Sequence, residues 1–165
     1  MATETHVKGL AELQKFMDQL APKVEANVMR GALRAGMNVV KPVAVANVHS
    51  VSGELAKGLK VSTRAKGGTV VARLVAKGKH AFVAKWVEFG TAAHSITAKN
   101  RKGLSFGGLF FQSVQHPGAR PRAFLRPALD GQAQNAVVAA AEYMKKRLAT
   151  KEGLDTSHVT IEGDE

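Results

Sequence analysis

The sequence has no cysteine in 165 residues. That removes a disulfide scaffold, thiolate zinc sites and a cysteine nucleophile from consideration, and it fits a reducing compartment. Carboxylates are scarce in the body: residues 1–150 hold 8 Asp and Glu against 23 Lys and Arg. Paired acids for proton transfer or metal binding therefore have few residues to come from. Aromatics make up 5% of the chain, and few of them lie near the basic clusters where they would have to stack on bases. Long apolar runs are missing too. The opening stretch MATETHVKGLAELQKF carries acids and no apolar h-region, which argues against a secretory signal. The longest uncharged run, residues 103–119, is rich in Gly, Ser and Gln and is too short and polar to cross a bilayer. The expectation is a soluble protein with no membrane association.

What the chain does have is positive charge. The formal net charge is +11, made of +15 in residues 1–150 and −4 in residues 151–165. A basic body implies a polyanionic neighbour, either nucleic acid or an acidic protein surface. The plain alternative is a solvated basic surface that serves solubility. The length suits one domain with an appendage. Residues 1–150 are read as a single domain, and residues 151–165, acidic and without periodicity, as a mobile tail.

Periodicity assigns the elements. Leu10, Leu13, Met17 and Leu20 mark a short amphipathic helix over residues 6–20, after which Pro22 resets the chain. Residues 23–48 form the longest periodic segment. At about 100° per residue, Arg30, Arg34 and Lys41 fall within about 20° of Lys23, opposite an apolar arc through Val24, Val28, Ala32, Ala35, Val39, Val43 and Ala46. Met29, Leu33 and Val40 widen that arc to roughly half the cylinder, more than one neighbour requires, which points to a second contact such as another subunit. Pro42 is expected to kink or end this helix.

Residues 50–58 read as a short helical turn capped by Ser52, with Glu54 in its first turn. Residues 59–64 and 69–76 form a hairpin around Lys66, Gly67 and Gly68, with Val70, Ala72, Leu74 and Ala76 sharing one face. Residues 92–119 read as a long exposed hairpin or loop whose basic tip is Lys99, Arg101 and Lys102. Its Leu109, Phe110 and Phe111 are hard to leave in water. The last helix begins near Pro121 or Arg122 and runs to Leu148 along Leu125, Leu129, Ala133, Val137, Ala140 and Met144, with Pro127 near its first turn.

Two pieces organise the rest: residues 82–91, FVAKWVEFGT, and the later His116, Pro117, Gly118 followed by residues 121–130, PRAFLRPALD. Phe82, Trp86 and Phe89 fall at i, i+4 and i+7, one face of a short helix, and that face is expected to be buried. Gly90 follows the last aromatic, where helices commonly stop. Glu88 beside such a face wants a cationic or hydrogen-bonding partner, because an unpaired buried charge is costly. Arg122, Arg126 and His116 are the candidates. The plain reading of the block is a core helix and the start of another.

Signatures of chemistry are missing. The six His show no HxxxH or HExxH spacing, no Ser lies in a GxSxG turn, and neither GxxxxGK[ST] nor GxGxxG occurs. No catalytic residue, metal site or cofactor is expected. Any DNA contact should go to phosphates without sequence readout.

The order SGELAKGLKVS, WVEFGTAAH, a basic loop, then HPGARPRAFLRPALD closing into a C-terminal helix resembles the phage tail-component family that supplies neck and tail-completion proteins of long-tailed, lambda-like phages. The resemblance covers roughly residues 7–148. It implies an α+β virion protein in which a long helix and a C-terminal helix pack on an antiparallel sheet of about four strands. It further implies a homo-oligomeric ring at the top of the tail, six-fold by analogy with twelve-fold as the alternative. The ring would lie between the head-closure ring and the tail-terminator or tail-tube proteins. By position, Glu88, Gly90, Thr91, His116, Pro117, Gly118, Phe124, Arg126 and Pro127 match the motif, and the resemblance gives them the role of holding the loop and subunit contact. The stripe of Lys23, Arg30, Arg34 and Lys41 would face an acidic neighbouring ring in preference to DNA passing through the lumen, since strong phosphate binding would resist sliding.

Two other classes of function stand beside this one. A nonspecific basic nucleic-acid-binding protein would be a monomer or dimer with steeply salt-dependent duplex binding. A nuclease using Glu88, His94 and His116 would lack the metal-binding acid pair such chemistry needs.

Overall fold

Two long helices, packed along their length in opposite directions, set the frame. The computed structural model describes residues 7–48, 53–79, 81–98 and 103–163, the side chains of Lys23 and Phe106 excepted. Ser52, Lys99, Arg101 and Lys102 lie outside the described residues. In order, the elements are β1 (Val7–Lys8), α1 (Leu10–Met17), α2 (Pro22–Asn47), α3 (Glu54–Gly58), β2 (Leu59–Lys66), β3 (Thr69–Ala76), α4 (Val83–Phe89), β4 (His94–Thr97), β5 (Leu104–Phe106), β6 (Leu109–Phe111), β7 (Ser113–His116), α5 (Leu125–Glu152) and β8 (Glu162–Gly163).

Helix α2 begins on Pro22, which fixes φ where no amide donor is needed, and it continues through Pro42 to Asn47. The expected break at Pro42 does not occur: the proline sits on the exposed side, and the surrounding packing outweighs one lost hydrogen bond. The buried positions of α2, Val28, Ala32, Gly36, Val40 and Ala44, lie four residues apart and form one ridge. That ridge meets α5. A Cβ on Gly36 would stand 2.5 Å from the carbonyl oxygen of Ala136, so the two backbones touch there. On either side of this contact lies a core cluster. One gathers Leu13, Met17, Val28, Ala32, Met144, Leu148 and Val159. The other gathers Val40, Ala44, Leu55, Leu59, Phe124 and Ala128. Leu129, expected on the inner line of α5, is exposed instead, and Ala128 takes the buried place.

Among the described residues, the anticipated four-stranded sheet is replaced by four separate two-stranded antiparallel ladders, β1–β8, β2–β3, β4–β7 and β5–β6. Strands β2 and β3 pair from Leu59↔Ala76 to Lys66↔Thr69. Their turn uses Gly67 and Gly68, both at positive φ, as a two-residue hairpin requires. The face with Val70, Ala72, Leu74 and Ala76 turns inward, as the alternation implies.

Among the described residues, the strands between Thr91 and Ala119 pair only with one another, so they widen neither of the other ladders. Thr91 bridges Ala119, β4 pairs β7 in the same register, and β5 pairs β6 further out. The turn between β5 and β6 falls at Gly107 and Gly108, both at positive φ. The outer end of the β5–β6 ladder is therefore the glycine turn, and the basic tip expected from Lys99, Arg101 and Lys102 falls outside the described residues.

The acidic C-terminal segment also departs from expectation. Helix α5 runs on to Glu152, closes on Gly153 at φ 69°, and the chain then folds back along it. Thr156 and Val159 are buried, Lys145 Nζ donates to the Val159 carbonyl, and β8 pairs with β1. Leu154, Val159 and Ile161 supply the apolar contacts that a charge-based reading of this stretch overlooks.

Candidate interaction site: a capped helix joint and its arm

Glu88 joins the two motifs. Its Oε2 accepts the backbone N–H groups of Phe124 at 2.8 Å and Leu125 at 2.9 Å, and its Oε1 accepts that of Arg126 at 3.1 Å. The next residue is Pro127, which has no N–H. All the free amides at the start of α5 are thereby satisfied or absent, and a carboxylate sits where the helix dipole favours negative charge. The partners foreseen for Glu88 were side chains of Arg122, Arg126 and His116. The structure uses backbone amides instead, because a helix start offers three converging donors without ordering a long cation. Arg126 is exposed and adds only its charge. Burial pushes the Glu88 carboxyl up, but the amides of Leu125, Phe124 and Arg126, helped by the Arg126 charge, bring it below the usual carboxylate value.

Around this cap the backbone closes a tight joint. Arg122 N–H donates to the Val87 carbonyl at 2.8 Å, and Thr91 and Ala119 exchange two backbone hydrogen bonds. Thr91 Oγ1 also accepts from Ala119 N–H at 3.0 Å. Gly90 and Gly118 have φ of 72° and 86°, and a Cβ on either would collide with the opposite strand, at Ala119 O and Thr91 O respectively. His116 Nδ1 accepts from Gly118 N–H at 3.0 Å across the exposed Pro117, and its ring lies 5.0 Å from that of His94. Glu88 is turned away from this His pair, toward α5. Phe124 is fully buried in the second core cluster.

The aromatic face of α4 is where the sequence reading fails. Phe82 is 55% exposed, Trp86 51% and Phe89 63%. Phe82 and Trp86 pack edge to face at 5.0 Å on the surface. The buried side of α4 is the one with Ala84, Val87 and Glu88. Helix α4 is oriented by the cap on α5, and that demand leaves the aromatics outward. Beyond them the arm carries Ile96, Leu109, Phe110, Phe111 and Val114 exposed, with Phe110 at 79%. A further apolar groove of about 520 Å³ lies between α2, β3 and α5, lined by Met29, Leu33, Met37, Val70, Leu129 and Val137 among others. It takes in Met29, Leu33 and Met37, the half-buried flank of the wide apolar arc on α2.

Of the basic stripe on α2, Arg30 and Arg34 are exposed and Lys41 is half-buried. Arg30 bonds Asn27, and Arg34 reaches Thr63 Oγ1 at 3.2 Å, so the stripe runs beside the β2–β3 hairpin. That hairpin has a larger cationic surface, which the periodicity did not single out. Lys60, Arg64, Lys66 and Arg73 all lie exposed on its outer face. The signal was legible as an absence: between Glu54 and Glu88 the sequence has no carboxylate and eight Lys and Arg. Among the described residues no group of three or more metal-ligating side chains comes together, and no helix is long and apolar enough to cross a membrane.

No curated protein and no solved structure matches the chain. A family model does, over α1, α2, the hairpin and α4, stopping at Gly90 just before the arm. Residues 11–90 match the family described as Bacteriophage HK97-gp10, putative tail-component, and the resemblance read from the motifs is to that same group of phage tail components.

Proposed function

We propose that this protein is a structural component of the phage virion that assembles with copies of itself into a ring at the top of the tail and joins tail to head. The observation that carries the proposal is the exposed apolar arm, with Phe110 the most exposed of its large side chains, held on a joint whose capping carboxylate is buried and fully engaged with backbone amides. A rigid base with a greasy projection is poorly suited to a monomer, since large contiguous apolar surface in water marks an interaction site. The arm and the apolar groove lie on different parts of the chain, as a heterologous contact that closes into a ring requires. The family match to phage tail components supplies the setting. Neighbouring head-closure and tail-tube proteins would cover the remaining faces.

Native mass measurement with negative-stain imaging tests this. A discrete closed particle is the expected result, six copies by analogy or twelve, and Phe110→Ser should dissolve it while leaving the monomer folded. A chain that stays monomeric at high concentration and beside isolated tails would end the proposal.

A further inference from the structure

We infer that the outer face of the β2–β3 hairpin is a binding surface for the phosphate backbone of duplex nucleic acid, without sequence readout. The inference goes beyond the ring and holds whether or not the chain self-associates. Side chains alternate along each strand, so the register puts Lys60, Ser62, Arg64 and Lys66 of β2 beside Val75, Arg73, Val71 and Thr69 of β3 on one face. Two surface grooves run along it and share Lys77. One, of about 490 Å³, is lined by Arg64, Lys66 and Arg73. The other, of about 360 Å³, is lined by Lys57, Lys60 and Lys79. The only acid in either is Glu54, which pairs with Lys57 at 3.2 Å. Among the described residues, no carboxylate pairs with the other cations, and all are exposed.

The composition of this face favours phosphate over acidic protein. Interfaces between proteins have apolar, often aromatic centres and are depleted in Lys. Here the apolar residues are Val71 and Val75 and there is no aromatic, so neither a protein anchor nor a base-stacking platform is present. Lys and Arg interleaved with the hydroxyls of Ser62 and Thr69 are the groups that contact DNA backbone. Eight paired residues make a ribbon about 26 Å long, which spans about 8 base pairs of duplex at about 3.4 Å each. Exposure keeps each contact weak and screened by salt.

The test is fluorescence anisotropy of the full-length protein with a short labelled duplex across a salt series. The parent should show a log–log slope of about −4.5 to −6.3, from neutralising roughly five to seven phosphates. The triple variant Arg64→Gln, Lys66→Gln, Arg73→Gln should have a slope shallower by about 2.7, from three fewer phosphates neutralised. A charge-matched control, Lys15→Gln, Lys146→Gln, Lys151→Gln, should keep the parental slope, because those lysines lie elsewhere. Equal slopes in parent and triple variant, or an equal loss in the control, would overturn the assignment. So would preferential binding of polyglutamate over the duplex, which would give the face to an acidic protein. Native mass of the same variants reports on assembly separately.

Discussion

The joint at Glu88 and the arm that springs from it are built by opposite rules. In the joint nearly every polar group is spent inside the chain: three amides on one carboxylate, a proline in place of the next donor, and paired backbone bonds between Thr91 and Ala119. In the arm the ladders of β4–β7 and β5–β6 hold the backbone, while nearly all the described side chains point to water. The contrast separates two sources of order. The joint is stabilised by what it buries, whereas the arm takes its shape from register and turn chemistry and has no core of its own.

The sharpest way to break this contrast is to remove the cap. Glu88→Ala leaves three amides at the start of α5 without an acceptor and should lower stability by about 3 kcal/mol, read from urea unfolding midpoints. A change under about 0.5 kcal/mol would put the joint on the same footing as the arm. Gly36→Ala, at the backbone contact between α2 and α5, should cost about 2 kcal/mol through overpacking. Gly31→Ala should cost less, since the clashing atoms there belong to the half-exposed side chain of Tyr143, which can swing away.

Acid titration sharpens the same comparison. The folded Glu88 carboxyl lies below its ordinary value of 4.5, so its stabilisation is complete above that value and is lost as pH falls through the lower folded one. Glu88→Gln should be less stable than the parent by about 1 to 2 kcal/mol at neutral pH and converge on it in acid. Parallel stability curves would show that the carboxylate charge does not matter. The smallest effect on the fold belongs to the arm: Phe110→Ser should shift the unfolding midpoint by less than about 0.5 kcal/mol, while self-association is lost.

How much of this was legible in the sequence varies by element. Helix α2, the β2–β3 hairpin and its glycine turn follow from local periodicity and turn residues, and the structure keeps them nearly to the residue. The link between EFGT and FLRPAL was visible as a carboxylate in need of a partner. Which partner was not, because backbone amides leave no mark in a sequence. The orientation of α4 was misread for a related reason. Three aromatics at helical spacing outweigh Ala84, Val87 and Glu88 on any apolar scale, yet the side with the capping acid is the one turned inward. The fold-back of residues 154–163 was hidden by net acidity that masks three apolar anchors.

The bare meeting of Gly36 with Ala136 has one more consequence. With no side chain to interlock there, the molecule has two cushions on either side of a fulcrum, one gathered around Leu148 and the other around Phe124. In the proposed assembly, a load arriving through the arm would reach the Phe124 cushion first, because Glu88 ties the base of the arm to the start of α5 there.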